Sequence, residues 1–324
     1  MSPKRYPPSE LPVTLLAGCL GAGKTTLLNH ILSQNHGRRI AVVENEFGEI
    51  PVDHDLIVGA DEDIFEMSNG CICCSVRTDL VETLNRLLER HDRFDYVLIE
   101  ATGLASPGPI AQAFLIEDEL RRALKLDGVV TVVDCLNIQR QLQELDVAWE
   151  QVAFSNVLLL NKTDLAGPRA QAAEQCVRGI NPAARIHHTR HAVIDVDQIL
   201  NLGGFELDEA LELPAARENP HGADHPGEAV MSVSLEFPGE IDEDRFRMWL
   251  QMLLITEGMD VFRAKGVLNL EGEAHRCLFQ SVYMMYESRP GRPWGAEPRT
   301  NRMVFIGRHL DRERLEAGVQ SCLV

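Results

Sequence analysis

Residues 13–26, VTLLAGCLGAGKTT, join an apolar run to a glycine-rich turn and the beginning of a helical segment. Gly18, Gly23, Lys24 and Thr25 fit the pattern G-x-x-x-x-G-K-[ST], and an apolar strand before it and a helix after it are the context that this motif requires. Glycines let successive backbone N–H groups face the phosphates of a nucleotide at a helix N-terminus, where the helix dipole also favours an anion. The segment therefore predicts a phosphate-binding P-loop.

Individual P-loop positions have expected roles. Lys24 should reach the β and γ phosphates, and the Thr25 hydroxyl is placed to ligate Mg²⁺. The alternative is a glycine turn that only opens a helix. The residues from which we expect contacts to the nucleotide are Gly18, Gly21, Ala22, Gly23, Lys24, Thr25 and Thr26.

Apolar runs of the same kind recur up to about residue 194 and alternate with helical stretches. Because these runs are continuous rather than alternating, they predict strands buried on both faces of a parallel sheet, with helices on each side. The predicted fold class is α/β, a doubly wound parallel sheet. The further runs are IAVVEN from Ile40, YVLIEA from Tyr96, VVTVVD from Val129 and VLLLNK from Val157.

The remainder of the chain differs in pattern. Residues 203–228 lose periodicity and are rich in Pro, Gly and acids, which predicts a linker between a domain of residues 1–202 and a domain of residues 229–324. We expect the second domain to be a smaller α+β domain with helices on one face of an antiparallel sheet. Its elements are the strand-like runs VMSVSLEF, KGVLNLEG, HRCLFQSVYMMYE and RMVFIG, a helical stretch from Asp242 to Leu254, and a terminal helix.

Composition limits the class of partner. The 324 residues include 49 acidic and 31 basic side chains, a formal net charge of −18. Such a surface repels phosphate backbones, so neither nucleic acid nor an anionic membrane is an expected partner. No apolar run approaches the roughly 18 residues of a membrane helix. The opening MSPKRYPPSE lacks the apolar core of a signal peptide. We therefore expect a cytoplasmic protein.

Glu100 ends the apolar run YVLIE and is followed by Ala-Thr-Gly. Ligands bind at the carboxyl edge of such sheets, so Glu100 could hold the Mg²⁺ shell or orient the attacking water. We name Glu100 and Lys24 as the candidate catalytic residues. Since Asp is usual at this position, a solvated acid at a strand end is the alternative.

Residues 161–164 follow the run VLLLN and spell N-K-x-D. A carboxylate only accepts hydrogen bonds, so Asp164 can pair with N1–H and the amino group of guanine but would face an acceptor at adenine N1. A site built on such pairing rejects the wrong base strongly. With Asn161 and Lys162 beside it, the motif predicts that the nucleotide is GTP or GDP.

Three of the eight cysteines, Cys71, Cys73 and Cys74, lie in the segment GCICC. Clustered thiols suit a soft or borderline cation such as Zn²⁺. Cys71 and Cys73 can share an ion because alternate side chains of an extended segment point the same way, whereas Cys73 and Cys74 share one less easily. Carboxylates from residues 44–49, ENEFGE, could complete a four-coordinate site. The alternatives are a redox dithiol or small buried apolar side chains.

Histidines offer a second donor group, for which solvated surface side chains are the alternative. The sequence does not decide between these interpretations. The residues are His187, His188, His191, His221 and His225.

These motifs together resemble those of the CobW-type GTPases, in particular the YjiA-like members, relatives of the UreG and HypB nickel-insertion GTPases. The resemblance implies GTP hydrolysis coupled to binding of zinc, cobalt or a related ion such as nickel and to its delivery to a client metalloprotein. It also implies a CobW-type C-terminal domain that engages the client. The matching segments are GCLGAGKTTLLNHIL, ENEFGEI, NGCICC, IEATGLASPGPI, NKTDL, KGVLNLEGE and RPWG.

The resemblance also implies a ligand set. It points to Glu44, Glu49 and Cys73 as the metal ligands, with Cys71 and Cys74 in the same motif. In a metallochaperone, GTP and Mg²⁺ would order residues 44–49 and so change the geometry of the metal site.

Intrinsic hydrolysis should be slow, because the sequence reveals neither an arginine finger nor a dedicated glutamine. Binding of a partner or formation of a homodimer could supply the missing group. A rival hypothesis is a metal- or redox-sensing GTPase switch that regulates a partner without transferring metal. A P-loop kinase would need neither N-K-x-D nor GCICC.

Overall fold

The computed structural model describes residues 10–44, 64–66, 75–203, 230–258, 260–282 and 285–324. They form two compact units. The first contains most residues up to 205, and the second combines residues 206–324 with the short stretches 152–154 and 175–184. The predicted boundaries at residues 202 and 229 stay predictions, since the predicted linker lies largely outside the described residues.

A parallel sheet forms the centre of the first unit. All its strand pairs are parallel, and the order β3-β2-β4-β1-β5-β6-β7 places β1 between β4 and β5. The predicted parallel sheet is confirmed, and two strands add to it: β3 and β7 are short, and their sequences IFE and RIHH are not apolar runs. The strands are β1 (Leu11–Ala17), β2 (Ile40–Glu44), β3 (Ile64–Glu66), β4 (Tyr96–Glu100), β5 (Leu124–Asp134), β6 (Val157–Asn161) and β7 (Arg185–His188).

Helices cover both faces of this sheet. Leu15 of β1 packs with Leu84 in one apolar core, while its neighbour Leu16 packs with Leu27 in the other. Successive strand residues thus supply opposite cores, as a doubly wound sheet requires. None of the described helices is long and apolar enough to cross a membrane. The helices are α1 (Lys24–Ser33), α2 (Ser75–Leu88), α3 (Pro107–Ile116), α4 (Asp118–Ala123), α5 (Ile138–Glu144), α6 (Asp146–Phe154), α7 (Thr163–Ala166) and α8 (Arg169–Ile180).

A buried polar network fastens residues 201–203 to this sheet. The Tyr96 hydroxyl donates to Asp127 and lies 2.7 Å from the Thr14 hydroxyl. Asp127 also accepts from the backbone N–H groups of Leu202 at 2.8 Å and Gly203 at 2.9 Å. Burial, reinforced by the charge of Asp127, raises the pKa of Tyr96, which therefore stays a hydrogen-bond donor. A buried carboxylate is tolerated here because several donors satisfy it.

Within the second unit, the described residues from 230 onward form an antiparallel sheet in the order β11-β10-β9-β12-β8 and two helices. The helices begin where Asp242 and Asp311 accept from the backbone N–H groups of Arg245 and Arg314, as N-cap residues do. Both helices contribute to one apolar core with the sheet. The elements are β8 (Val230–Pro238), α9 (Glu243–Glu257), β9 (Val261–Leu268), β10 (His275–Val282), β11 (Met285–Pro293), β12 (Thr300–Arg308) and α10 (Arg312–Gln320).

The predicted α+β architecture is therefore confirmed, with two corrections to its strands. The run of residues 275–287 forms two strands, because β10 and β11 pair with each other from Val282 and Met285 outward. The strand that was expected to start at Lys265 already begins at Val261.

Candidate nucleotide-binding site

The glycine-rich turn links the end of β1 to the start of α1. Gly18, Gly21 and Gly23 have φ values of 139°, 73° and 112°, a region that favours glycine. A Cβ atom at Gly18 would lie 2.4 Å from the Val132 carbonyl oxygen, and one at Gly23 would lie 2.6 Å from Nδ2 of Asn161. The turn thus requires glycine at Gly18 and Gly23 for close packing as well as for conformation.

Lys24 is the first residue of α1, and its side chain folds back over the turn. It is 7% exposed, and its Nζ donates to the carbonyl oxygens of Gly18 at 3.0 Å and Cys19 at 3.5 Å. The first turn of α1 contains neither an acidic residue nor a side-chain cap. A buried cation and an uncapped helix N-terminus therefore lie together, which is the arrangement that binds phosphate.

Thr25 and Glu100 meet at the carboxyl edge of the sheet. The Thr25 hydroxyl donates to Oε1 of Glu100 at 3.1 Å, which joins α1 to the end of β4. Strand register then places Glu44 of β2 beside Glu100, and Glu66 of β3 beside Glu44. Three acids thus end the neighbouring strands β4, β2 and β3, and Glu100 is the one with a hydrogen bond to Thr25. Glu66 was not singled out from the sequence, although it ends its strand as Glu44 and Glu100 end theirs.

Asn161 braces the P-loop from β6. It is 2% exposed, and its Nδ2 donates to the Ala22 carbonyl at 2.9 Å. Its Oδ1 accepts from the backbone N–H of Ala192 at 2.9 Å and the hydroxyl of Thr189 at 3.2 Å. The side chain thus ties the P-loop to residues 189–192. Asp164 of the same motif is exposed, so its carboxylate can be reached by a base.

Lys162 crosses from the N-K-x-D motif to the P-loop. Its Nζ donates to the Gly21 carbonyl at 2.7 Å and to Oδ2 of Asp134 at 2.8 Å. Asp134, which was not identified from the sequence, ends β5 and also accepts from the Leu136 backbone N–H and from Nδ2 of Asn137. The available signal was its position at the end of the run VVTVVD, the same signal that identified Glu100.

The electrostatics of Asp134 follow from these contacts. Burial by itself would raise the pKa of Asp134, but the hydrogen bonds from Lys162, Asn137 and the Leu136 backbone outweigh it and hold the pKa below its ordinary value. The folded state therefore favours the carboxylate, which fixes the Lys162 ammonium against the P-loop.

Asp134→Asn should lower the free energy of unfolding by about 2 kcal/mol at neutral pH, because it removes a charged partner of Lys162. The folded-state pKa of Asp134 is depressed, so its stabilisation is complete above an unfolded pKa of about 3.9 and is lost as pH falls through the folded value. The difference between parent and variant should therefore shrink at acidic pH. Urea unfolding of both proteins over a range of pH measures it.

The control for this change is Asp164→Asn, the same substitution at an exposed side chain of the same site. It should alter stability by less than about 0.5 kcal/mol. A difference between Asp134→Asn and the parent that does not change with pH would contradict the role given to the Asp134 charge.

The predicted metal ligands are only partly described. Glu44 is half-buried at the end of β2, whereas Glu49, Cys71, Cys73 and Cys74 lie outside the described residues. Among the side chains that the structure does describe, no three Cys, His, Asp or Glu residues come close enough to hold a metal ion. The geometry of the cysteine site stays a prediction.

The histidines of the first unit have separate environments. His188 bonds through Nε2 to Oε2 of Glu174 at 2.8 Å, a pairing on the surface. Burial, with the nearby charge of Arg185, lowers the pKa of His187. His191 is exposed, and His221 and His225 lie outside the described residues.

A parallel sheet, a P-loop at the end of its central strand and an N-K-x-D motif after β6 define the class of the P-loop GTPases. Comparison with known proteins agrees with this class. Residues 12–188 match the family described as CobW/HypB/UreG, nucleotide-binding domain, and residues 230–323 match the Cobalamin synthesis protein cobW C-terminal domain. The chain belongs to the CobW/HypB/UreG family of P-loop GTPases, and the resemblance drawn from its motifs is confirmed.

Individual relatives extend over nearly the whole chain. The zinc chaperone YjiA of Escherichia coli is 39% identical over 95% of this chain and 98% of its own length. The zinc-regulated GTPase metalloprotein activator 1 of Schizosaccharomyces pombe is 33% identical over 93% of this chain and 83% of its own. The crystal structure of Zn(II)-bound YjiA GTPase from E. coli has a TM-score of 0.80 at 34% identity, covering 98% of this chain and 100% of that one.

Proposed function

We propose that this protein is a metallochaperone that couples GTP hydrolysis to the binding and delivery of zinc. The observation that carries the proposal is the register of the sheet edge. Glu100 bonds to Thr25 of the P-loop at 3.1 Å, and Glu44 lies beside Glu100 on the neighbouring strand. A candidate zinc ligand is thereby only one strand away from the candidate Mg²⁺ site, so occupancy of one site can influence the other.

In the nucleotide site, the P-loop N–H groups and Lys24 would hold the phosphates of GTP or GDP. The Thr25 hydroxyl would bind Mg²⁺, with Glu100 in the Mg²⁺ shell or orienting the attacking water. Asp164 would accept from the guanine edge. Asn161 and Lys162 would stabilise the conformation of the P-loop, which their hydrogen bonds to the carbonyl oxygens of Ala22 and Gly21 support.

Intrinsic hydrolysis of GTP to GDP and phosphate would be slow. Gln151 reaches the P-loop, but its amide is buried and bonded to backbone carbonyls, so it is not placed to orient an attacking water. Faster turnover would then need a group from the client metalloprotein or from a second copy of the chain in a homodimer.

The zinc ligands would be Glu44, Glu49 and Cys73, with Cys71 and Cys74 in the same segment. Mixed thiolate and carboxylate ligands suit four-coordinate zinc. Co²⁺ and Ni²⁺ accept similar donors. Zinc is favoured by the names of relatives that match almost the whole chain, which are called zinc chaperones. If GTP alters the affinity for zinc, zinc must alter the affinity for GTP by the same factor.

Replacing Cys71, Cys73 and Cys74 together by Ser should lower the affinity for zinc by at least about 100-fold. Zinc binding at such sites is worth about 10–16 kcal/mol, so one ligand of four contributes roughly 3 kcal/mol. Calorimetric titration of zinc into the reduced parent and variant measures this, first with GDP and then with a non-hydrolysable GTP analogue. We expect the parent to bind zinc with different affinities in the two nucleotide states.

Cys176→Ser is the control, because Cys176 is a half-buried cysteine on α8 outside the GCICC segment. Its affinity for zinc should equal that of the parent. Equal affinity in the triple variant would refute the cysteine site. An affinity for zinc that is the same with GDP and with the GTP analogue would refute the coupling.

Transfer of zinc to a competing chelator should accelerate only when GTP can be hydrolysed. Transfer at the same rate without hydrolysis would contradict a chaperone cycle.

A further inference from the structure

Gln151 on α6 connects two parts of the nucleotide site that are distant in sequence. Its side chain is 1% exposed. Its Nε2 donates to the carbonyl oxygens of Gly103 at 3.3 Å and Ala105 at 3.1 Å. Its Oε1 accepts from Sγ of Cys19 at 3.5 Å. One amide thus bonds both to the P-loop and to the segment that follows Glu100.

The donors and acceptors of these contacts are fixed by chemistry. Backbone carbonyls only accept hydrogen bonds, so the amide nitrogen must face Gly103 and Ala105, and the amide oxygen is left for Cys19. Burial raises the pKa of Cys19 to about 11, although the charge of Lys24 opposes this shift. Cys19 is therefore a thiol at neutral pH and can donate. Neither an acid nor an apolar side chain at position 151 could reproduce this pattern.

The P-loop and the segment after Glu100 are also in tight contact. A Cβ atom at Gly103 would lie 2.5 Å from the Leu20 backbone nitrogen and 2.8 Å from its Cα. Gly103 follows Glu100 by three residues, and Glu100 bonds to Thr25 at the start of α1. A small displacement of residues 101–105 would therefore change how Glu100 is presented to the nucleotide.

Gln151 itself is held on a rigid element. Its backbone carbonyl accepts from the hydroxyl of Thr131 on β5 at 2.9 Å and from the hydroxyl of Ser155 at 2.6 Å. Both hydroxyls belong to buried residues. The amide is thus presented from a fixed backbone position, which is what a group that positions others requires.

We propose that Gln151 is a positioning residue for GTP hydrolysis. Its side-chain amide holds residues 103–105 in a fixed position against the P-loop and thereby positions Glu100. It does not touch the phosphates. This inference rests on the GTPase activity within the proposed function and concerns the rate of the chemical step, not the metal.

Gln151→Met should lower kcat for GTP hydrolysis by about 10-fold or more, since small misplacements in an active site cost up to about 100-fold. Met is unbranched and similar in length, so it fills the space but cannot donate to Gly103 or Ala105. The Kd of GDP should stay within about 3-fold of the parent, because the phosphates are bound by the P-loop and Lys24. Single-turnover hydrolysis, normalised to the nucleotide bound, and a GDP titration measure the two effects.

Gln141→Met is the matched control, because Gln141 is a second buried glutamine of the first unit, on α5. It should leave kcat within about 2-fold of the parent. Cys19→Ala should show part of the loss in kcat. The loss in the double variant with Gln151→Met should be smaller than the sum of the two single losses, since both changes break the hydrogen bond between Cys19 and Gln151. Gln151→Leu repeats the test should the Met variant fail to fold.

A kcat that is unchanged in Gln151→Met would overturn the inference. So would a parallel fall in kcat and GDP affinity, which indicates general damage to the fold. Additive effects of the Cys19 and Gln151 changes would overturn the link between them. A parent protein that binds GDP but never hydrolyses GTP would instead overturn the proposed function and this inference together.

Discussion

Lys24→Ala should abolish detectable binding of GTP and GDP at micromolar concentrations, with Kd rising roughly 100-fold to 1,000-fold. Removing one partner of a buried charge pair costs about 2–5 kcal/mol in comparable interfaces. The Lys24 ammonium is buried over the P-loop and bonds to two of its carbonyl oxygens, so it lies where we expect the phosphates to bind. Titration with a fluorescent GDP analogue measures the loss.

Lys125→Ala provides the control, because Lys125 is an exposed lysine of β5 in the same unit. It should bind nucleotide as the parent does. The thermal unfolding of nucleotide-free Lys24→Ala should resemble that of the parent, since the turn is fixed by its glycines and by Asn161. GTP affinity that survives the loss of Lys24 would contradict the assignment of residues 18–25 as the phosphate site.

The sequence was most informative where a local pattern fixes the structure. The P-loop needs glycines, a lysine and a hydroxyl at set intervals, and apolar runs predict strands buried on both faces. β3 and β7 were missed because neither has such a run. Each is defined by parallel pairing with a neighbouring strand, β3 with β2 and β7 with β6. The neighbouring strand carries the apolar run, so the residues of β3 and β7 do not themselves indicate a strand.

Contacts across the fold were not predictable from local pattern. Asp127 places a charged side chain inside the run LKLDGVV. The groups that donate hydrogen bonds to it, the Tyr96 hydroxyl and the Leu202 backbone N–H, lie far from it along the chain. Asp134 likewise ends an ordinary apolar run, and only the folded chain shows that it holds Lys162. The hydrogen bonds from Asn161 and Lys162 to the P-loop were not predicted from the N-K-x-D motif, and the contacts of the motif to the nucleotide stay a prediction.

Glu100 and Asp134, two of the acids that end strands of the first sheet, differ in their hydrogen-bond partners. Glu100 bonds to Thr25, so its predicted place beside the P-loop has a direct contact to support it. Asp134 bonds to Lys162, Asn137 and the Leu136 backbone, which satisfies the carboxylate without any nucleotide. An acid at the end of a buried strand thus identifies the edge of the sheet where ligands bind, but its partners decide whether it acts on the nucleotide or supports the site.

Asp164→Asn should exchange the base preference of the protein from guanine to xanthine. The Asp164 carboxylate can accept both from N1–H and from the amino group of guanine, and each hydrogen bond to a charged group is worth about 1.5–3 kcal/mol. An Asn side chain offers one acceptor and one donor, so its amide nitrogen would oppose the guanine amino group. Affinity for GDP should therefore fall by about 100-fold or more.

Xanthine carries an oxygen where guanine carries the amino group, so the side-chain amide introduced by D164N would match it with one hydrogen bond in each direction. Competition of GDP, XDP and ADP against a fluorescent nucleotide measures the exchange, with D134N as the control that should not gain affinity for XDP. Because Asp164 is exposed, the variant should unfold at nearly the same temperature as the parent. GDP affinity unchanged by D164N would show that another residue reads the base, and the prediction that this GTPase selects guanine through its N-K-x-D motif would be wrong.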